Sequence, residues 1–117
     1  MERSNNERPV AYICLPYAGD TKTNTENAKR YSRYAVDAGV IPFAPHLLLP
    51  LYMKEESERG MALYMDLVFL SRCDELWIFG KTISSCMQAE IDHATKLGKS
   101  ALFYRKPNRR RTAGCVI

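Results

Sequence analysis

Short apolar runs alternate with longer segments of helical periodicity along this chain. Residues 9–15, which read PVAYICL, are apolar at neighbouring as well as alternate positions, as expected of a strand that is covered on both faces. Residues 40–44, 75–79 and 100–104 have a similar character and are bounded by turn-forming residues. The pattern therefore predicts four short strands.

Three helices are predicted between these strands, over residues 23–38, 55–72 and 85–97. The first and third begin at a capping box, in which two side chains satisfy free backbone groups of the first turn, and each is followed by a glycine that ends it. These residues are Thr23 with Glu26, Ser85 with Gln88, Gly39 and Gly98. The proline-rich, apolar stretch 45–52 leads into the second helix.

The alternation of strands and helices predicts an α/β domain of flavodoxin-like or Rossmann-like, three-layer architecture, with parallel strands joined by right-handed crossovers. Pro42 lacks a backbone donor, so the second strand is expected at an edge, which gives the order 2-1-3-4 for a sheet of four or five strands. Ligands of such sheets bind beyond the carboxyl ends of the strands at the switch point, here between the first and third strands. Residues 16–22 and 80–84 are therefore the loops expected to contact a ligand.

Length and composition fit one globular domain. The 117 residues are too few for two independent cores, and 46% hydrophobic with 26% charged residues is an ordinary balance. We expect a flexible N-terminus at 1–8, the domain at 9–104 and a basic tail at 105–117. No apolar stretch is long enough to span a bilayer, and the N-terminus has no secretory pattern, so a cytoplasmic location without membrane contact is expected.

The formal net charge of +4 arises in the C-terminal tail. Residues 105–111 hold five of the 17 basic residues and no acidic residue, which leaves 12 basic residues against 13 acidic residues elsewhere. Five charges at a chain end are typical of a solvated terminus, so nucleic acid is not an expected partner. A small sheet leaves apolar helix faces exposed, and on that ground a homodimer or higher homo-oligomer is expected.

No metal or cofactor site is predicted. The four cysteines lie far apart and form no Cys-x-x-Cys pair, so reduced thiols are expected. Glu90 and His93 offer only two metal ligands, and His46 has no partner that the sequence locates. The loop after the first strand has neither the glycine pattern of dinucleotide-binding domains nor that of a P-loop.

Two acidic residues are notable for their apolar neighbours. Asp66 is the only charged residue in 61–70, and it either faces solvent or an arginine at the helix edge, or points into a pocket where burial raises its pKa for general-acid work. Glu90 lies in the second turn of the third helix, as either a helix-favouring surface residue or an ionised nucleophile near the positive end of the helix dipole. The residues alone leave these alternatives open.

Other candidates for ligand contact lie on the first strand and where the predicted loops meet helices. Ser84 precedes a helix N-terminus, a natural site for a phosphate or hydroxyl, whereas Ser85 is also explained as the cap. Tyr12 either fills the core or places its hydroxyl near the pocket. The remaining candidates for substrate binding are Pro16, Tyr17, Gly19, Asp20 and Met87.

Several segments have a recognisable order and spacing. They are Ala11-Tyr12-Ile13, Met65-Asp66-Leu67 eight residues before Cys73-Asp74-Glu75, and residues 84–90 followed by Leu97-Gly98-Lys99. With this arrangement residues 9–104 resemble the nucleoside 2-deoxyribosyltransferase superfamily, which includes the 2-deoxynucleoside 5-phosphate N-hydrolases. The chain is also similar to small bacterial and phage proteins with the patterns Pro-Tyr-x-Gly-Asp, Ala-Pro-His and Cys-Asp-Glu-Leu-Trp-x-Phe-Gly.

The resemblance implies cleavage or transfer of an N-glycosidic bond, without a cofactor, in a nucleoside or its 5-phosphate. It implies that Glu90 is the nucleophile, that Asp66 handles the proton of the leaving base, and that Tyr12 positions the nucleophile. Ser84 falls where the phosphate-specific hydrolases use serine, which favours a 5-phosphate, while Cys86 replaces a glycine common in the family. The alternative is a module of the same fold that binds a nucleotide for sensing or sequestration without turning it over.

Overall fold

The structure is a computed structural model that describes residues 8–16, 21–54 and 56–104. Strands and helices alternate along the chain, as predicted. In chain order they are β1 (Val10–Cys14), α1 (Thr21–Asp37), β2 (Ile41–Phe43), α2 (Pro45–Leu48), α3 (Arg59–Ser71), β3 (Glu75–Phe79), α4 (Ser85–Lys96) and β4 (Ser100–Tyr104). A 3₁₀ turn, Leu49–Leu51, follows α2 directly.

The four strands form one parallel sheet in the order β2-β1-β3-β4, which confirms the predicted fold and strand order. Pro42 explains why β2 lies at an edge. Ile41 donates its backbone N–H to the carbonyl of Pro9 at 2.9 Å, so Ile41 faces β1 and the next residue, Pro42, turns its nitrogen to the outer side. A residue without an N–H therefore occupies a position where no partner strand needs one.

Side chains of the strands alternate between two faces, and helices cover both. One face packs against α1 through small, aliphatic and aromatic residues: Ala11, Ile13, Leu15, Trp77 and Phe79, with Ala28, Tyr31 and Ala35 of the helix. The other face packs against α3 and α4: Tyr12, Cys14, Leu76 and Ile78, with Leu70, Met87 and Ala94 of the helices. The result is the predicted three-layer arrangement, in which β1 is covered on both sides.

The ends of α1 and α4 agree with the predicted glycine stops, because Gly39 and Gly98 adopt left-handed backbone with φ of 96° and 74°. The predicted start of the first helix at residue 23 is wrong, since α1 begins at Thr21, and the expected capping box of Thr23 with Glu26 therefore lies inside the helix. None of the described helices is long and apolar enough to cross a membrane.

The second predicted helix, in contrast, starts later than predicted, at Arg59 instead of near residue 55. The reason lies in the proline-rich segment, which forms α2 and the 3₁₀ turn and buries Leu49 in the domain. The side chain of Glu58 then accepts the backbone N–H of Lys54 at 2.8 Å and holds a turn before the helix begins. Helix α3 nevertheless keeps Asp66 in its middle.

Candidate active site

A cavity of about 190 Å³ opens at the carboxyl ends of β1 and β3, the adjacent strands that flank the switch point. Leu15 at the end of β1, the first turns of α4, the middle of α3 and the segment around α2 form its wall. Glu90 from α4 and Asp66 from α3 both line it. The fold thus brings together two acidic residues that are 24 positions apart in the sequence.

Glu90 is almost fully buried, with 3% of its surface exposed. It lies on the inner side of α4 because the helical period places it one turn after Met87 and one turn before Ala94, which are also buried. The surface-residue interpretation of Glu90 is therefore wrong. Its carboxylate is held from β1 by two donors, since the hydroxyl of Tyr12 donates to Oε2 at 2.6 Å and the thiol of Cys14 donates to Oε1 at 3.1 Å.

Burial and hydrogen bonding act on Glu90 in opposite directions. Burial is the larger effect and raises the pKa of Glu90 above its usual value, and the hydrogen bonds from Tyr12 and Cys14 offset part of this rise because they stabilise the ionised form. The same burial, together with the charge of Glu90, raises the pKa of the Tyr12 hydroxyl and of the Cys14 thiol well above their usual values. Tyr12 and Cys14 therefore remain protonated donors at neutral pH.

Asp66 lines the cavity and is half-buried on α3. Its pKa is raised to about 7, first by burial and then by the charge of Glu90. Its Oδ1 atom is buried and accepts no hydrogen bond from the residues that the structure describes. Of the two alternatives that the sequence leaves open, the structure supports the carboxyl group in a pocket, where it can hold a proton near neutral pH.

The N-terminus of α4 forms another part of the wall, and its cap differs from the predicted one. Ser84, not Ser85, is the cap residue: its hydroxyl oxygen accepts the backbone N–H of Met87 at 3.2 Å, and the Met87 sulfur accepts the backbone N–H of Ser84 at 3.4 Å. Gln88, the expected partner of Ser85, instead donates to Asp92 at 2.9 Å on the exposed side of the helix. Ser84, Ser85 and Met87 nevertheless all line the cavity.

The loop after β1 is only partly described. Pro16 is half-buried and lies beside Gly80, because a Cβ atom placed on Gly80 would be 3.5 Å from the Cδ atom of Pro16. Pro16 is not among the residues that line the cavity. The predicted ligand contacts Tyr17, Gly19 and Asp20 lie outside the described residues.

Several residues that line the cavity or contact Glu90 were not predicted as parts of this site, among them Cys14, His46, Lys54 and Arg59. Cys14 follows Tyr12 by two positions on β1, and strand alternation alone places both side chains on one face. His46 comes just after the carboxyl end of β2 and lines the cavity, and burial lowers its pKa to about 4, so it is neutral at pH 7. Lys54 and Arg59 add two basic side chains to the wall.

The acidic and thiol groups are not arranged as a metal centre. Within residues 8–16, 21–54 and 56–104, no three His, Cys, Asp or Glu side chains are grouped to hold a metal ion. Cys14, Cys73 and Cys86 are free thiols. The geometry offers a buried carboxylate with two fixed donors, in the same cavity as a carboxyl group that can carry a proton.

Comparisons with known proteins address the family and the fold. The sequence model of a family described as Domain of unknown function (DUF7768) matches residues 9–104. No protein with a curated description matches the sequence. Among solved structures, the chain is similar to a 2-deoxyribosyltransferase from the psychrotolerant bacterium Bacillus psychrosaccharolyticus, with a TM-score of 0.66 and 16% identity over 88% of this chain and 77% of that chain. At this identity the likeness shows a shared fold.

Proposed function

The chain belongs to the DUF7768 family, and from the pair of carboxyl groups in its cavity we propose that it cleaves or transfers the N-glycosidic bond of a 2-deoxynucleoside or its 5-phosphate. The observation that carries this proposal is Glu90, which is buried, held by two donors and open to the same cavity as Asp66. The fold supports it further, because one solved structure with the same fold is by name a 2-deoxyribosyltransferase.

Displacement at a sugar carbon with a covalent intermediate needs one ionised and one protonated carboxyl group. The two environments favour this division. Glu90 has both oxygens stabilised by donors, whereas Asp66 has a pKa of about 7 and a buried oxygen without a donor among the described residues. Ionisation of Glu90 also disfavours ionisation of Asp66, so the pair holds a proton on the Asp66 side near neutral pH.

In the proposed first step, a Glu90 oxygen attacks the anomeric carbon of the sugar. The bond between that carbon and the base nitrogen breaks, its electron pair leaves with the base, and Asp66 gives the base a proton. In the second step, water or another base attacks the same carbon. The ester bond to Glu90 breaks, the carboxylate is restored, and the proton of the attacking group returns to Asp66.

The rest of the wall supports an anionic group on the substrate. Ser84 uses its oxygen to cap α4 and keeps its own hydroxyl proton for donation, and Lys54 and Arg59 are basic. A helix N-terminus adds backbone donors at the same place. These features favour a nucleoside 5-phosphate over a free nucleoside. The volume of about 190 Å³ suits a sugar with part of its substituents outside, since pockets for larger ligands reach about 300–1,000 Å³.

The deciding experiment incubates the protein with a panel of nucleosides and nucleotides and detects free base by chromatography. We expect base release from a 2-deoxynucleoside 5-phosphate and complete loss in Glu90→Ala. Asp92→Ala is the matched control, because Asp92 is an exposed carboxylate on the same helix and should leave the rate unchanged. Intact-mass analysis during turnover should detect a protein fraction that carries the sugar.

Two results would contradict the proposal. A Glu90→Ala variant with full activity would remove the glutamyl ester. Saturable nucleotide binding by the native protein, with no free base after long incubation, would identify the module as a binding domain of this fold.

A further inference from the structure

Two neighbouring side chains of β1 reach the same carboxylate from different positions. Tyr12 and Cys14 are two residues apart on β1, which separates them by about 6–7 Å along the strand and directs both to one face. The hydroxyl contacts Oε2 of Glu90 and the thiol contacts Oε1, so each oxygen has its own donor. Two contacts on opposite oxygens fix the rotation of the carboxylate about its last side-chain bond.

Resting on the proposed function, we propose that Cys14 is a positioning residue: its thiol holds Oε1 of Glu90 as the attacking oxygen, while Tyr12 holds Oε2 as the anchored one. The 2.6 Å contact from Tyr12 has the length of a strong, charge-assisted O–H···O⁻ bond. A thiol is a weaker donor than a hydroxyl, so it orients Oε1 and withdraws less of its electron density. The less tightly held oxygen is the better nucleophile.

The surroundings keep the thiol in the form that this role needs. Cys14 is fully buried, and burial followed by the charge of Glu90 raises its pKa well above the usual value. The thiol therefore stays protonated and does not compete as a nucleophile. Among the described residues, the other titratable groups that face this carboxylate or line its cavity are Tyr12, Asp66, the neutral His46, Lys54, Arg59 and Cys86.

Substitutions of Cys14 that remove or strengthen the donor separate this role from simple packing. Cys14→Ala removes the donor, so the pKa of Glu90 should rise, and the low-pH limb of the pH profile of kcat should shift to higher pH. Cys14→Ser supplies a stronger donor, so the pKa of Glu90 should fall, and the same limb should shift to lower pH. Both should lower kcat about tenfold with KM changed less than twofold, as expected when about one hydrogen bond to a charged group is lost or misplaced in the transition state.

Cys73→Ala is the matched control. Cys73 is also a buried thiol, in the same apolar cluster, and within the described structure no hydrogen bond joins it to Glu90. Cys73→Ala should lower the melting temperature about as much as Cys14→Ala and leave the kcat profile in place. A Cys14→Ala variant that lost only thermal stability, like the control, would overturn the proposal. A Cys14→Ser variant as fast as the native protein would overturn the assignment of Oε1.

A second measurement separates this proposal from the proposed function. Glutamate labelled with ¹³C at the side-chain carboxyl gives an NMR titration of Glu90 that needs no substrate. We expect its pKa to rise in Cys14→Ala, fall in Cys14→Ser and stay unchanged in Cys73→Ala. If the native protein releases no base but these shifts occur, the proposed reaction fails while the positioning contact stands. If no shift occurs in an active protein, the positioning role fails.

Discussion

The two faces of the sheet use the same strands for opposite purposes. On the side of α1, the rings of Tyr31, Tyr34, Trp77, Phe79 and Tyr104 form what we call the aromatic face, with Phe79 stacked on Tyr31 at 4.2 Å and on Tyr104 at 5.2 Å between ring centroids. On the side of α3 and α4, the groups Tyr12, Cys14, Asp66 and Glu90 form the carboxylate face. Along β1, Ala11 and Ile13 face the side of α1, whereas Tyr12 and Cys14 face the side of α3 and α4.

The difference separates stability from chemistry. Ring burial and ring stacking stabilise the folded chain without placing charge in the interior. Buried ionised carboxyl groups destabilise the folded state, and the raised pKa values of Asp66 and Glu90 result from this unfavourable burial of charge. Substitutions on the carboxylate face should therefore change reactivity more than stability, and substitutions on the aromatic face should do the reverse.

Asp66→Asn should have the largest effect of the changes that follow. We expect base release to fall by about 10²–10³-fold, because the amide cannot protonate the leaving base. The melting temperature should hold or rise, since a neutral group replaces a carboxyl that burial disfavours. Steady-state kinetics with a natural deoxynucleotide measures the rate of base release, and thermal unfolding measures the melting temperature, each for the variant and the native protein.

A substrate with a better leaving group sharpens this test. A nucleotide methylated at N7 of guanine carries a positive charge on the base and leaves without a proton. Its release should be much less sensitive to Asp66→Asn than release of the unmethylated base. Equal losses for the two substrates would contradict the general-acid role of Asp66.

Phe79→Leu probes the aromatic face and should have an intermediate effect. The change keeps an apolar side chain but removes ring contacts to Tyr31 and Tyr104, so the free energy of unfolding should fall by about 1–2 kcal/mol. Urea denaturation measures this loss. The kcat per folded molecule should stay within about twofold of the native value. A large loss of kcat would show that the aromatic face also affects the reaction, contrary to the proposed separation of the two faces.

The pH dependence of stability should show the smallest effect. The pKa of Asp66 is raised to about 7, so between about pH 4 and pH 7 the folded state binds more protons at this site than the unfolded state. This contribution to the free energy of unfolding therefore falls as the pH rises through that window. His46 acts in the opposite sense between about pH 4 and 6.5, because burial lowers its pKa to about 4.

The two groups are separated by comparing Asp66→Asn with the native protein across that range. The variant lacks the falling contribution, so its stability relative to the native protein should increase from pH 4 to pH 7 and level off above. Urea denaturation at several pH values measures the difference. A difference that does not vary with pH would mean that Asp66 has an ordinary pKa in the folded protein.

The sequence was sufficient for the fold because the local signals agree with each other. The strands are short apolar runs, glycines stop α1 and α4, and Pro42 marks an edge. The short helix α2 was not predicted, because four residues carry no helical period. The cap of α4 was predicted at Ser85, one residue too late. In the structure the cap is Ser84, and the sulfur of Met87 accepts the backbone N–H that a Glu or Gln side chain accepts in the usual capping box.

The site was predictable only in part. Asp66 is conspicuous as the only charge in 61–70 and Glu90 for its small and apolar neighbours, and the structure places both in one cavity. The contact of Cys14 with Glu90 depends on the packing of α4 across β1, which sequence spacing does not give. Lys54 and Arg59 flank the turn before α3, and that turn has no sequence pattern from which their place in the wall could be predicted.

The proline of the outer strand limits how this sheet can grow. Its nitrogen points outward at Pro42, so an added strand would find no donor there, and β2 has only three residues to offer. The opposite border, β4, has five residues and a half-exposed ring at Phe103. Among the described strands, edge-to-edge association is therefore favoured at β4 over β2, and a proline introduced into β4 should disfavour it there as well.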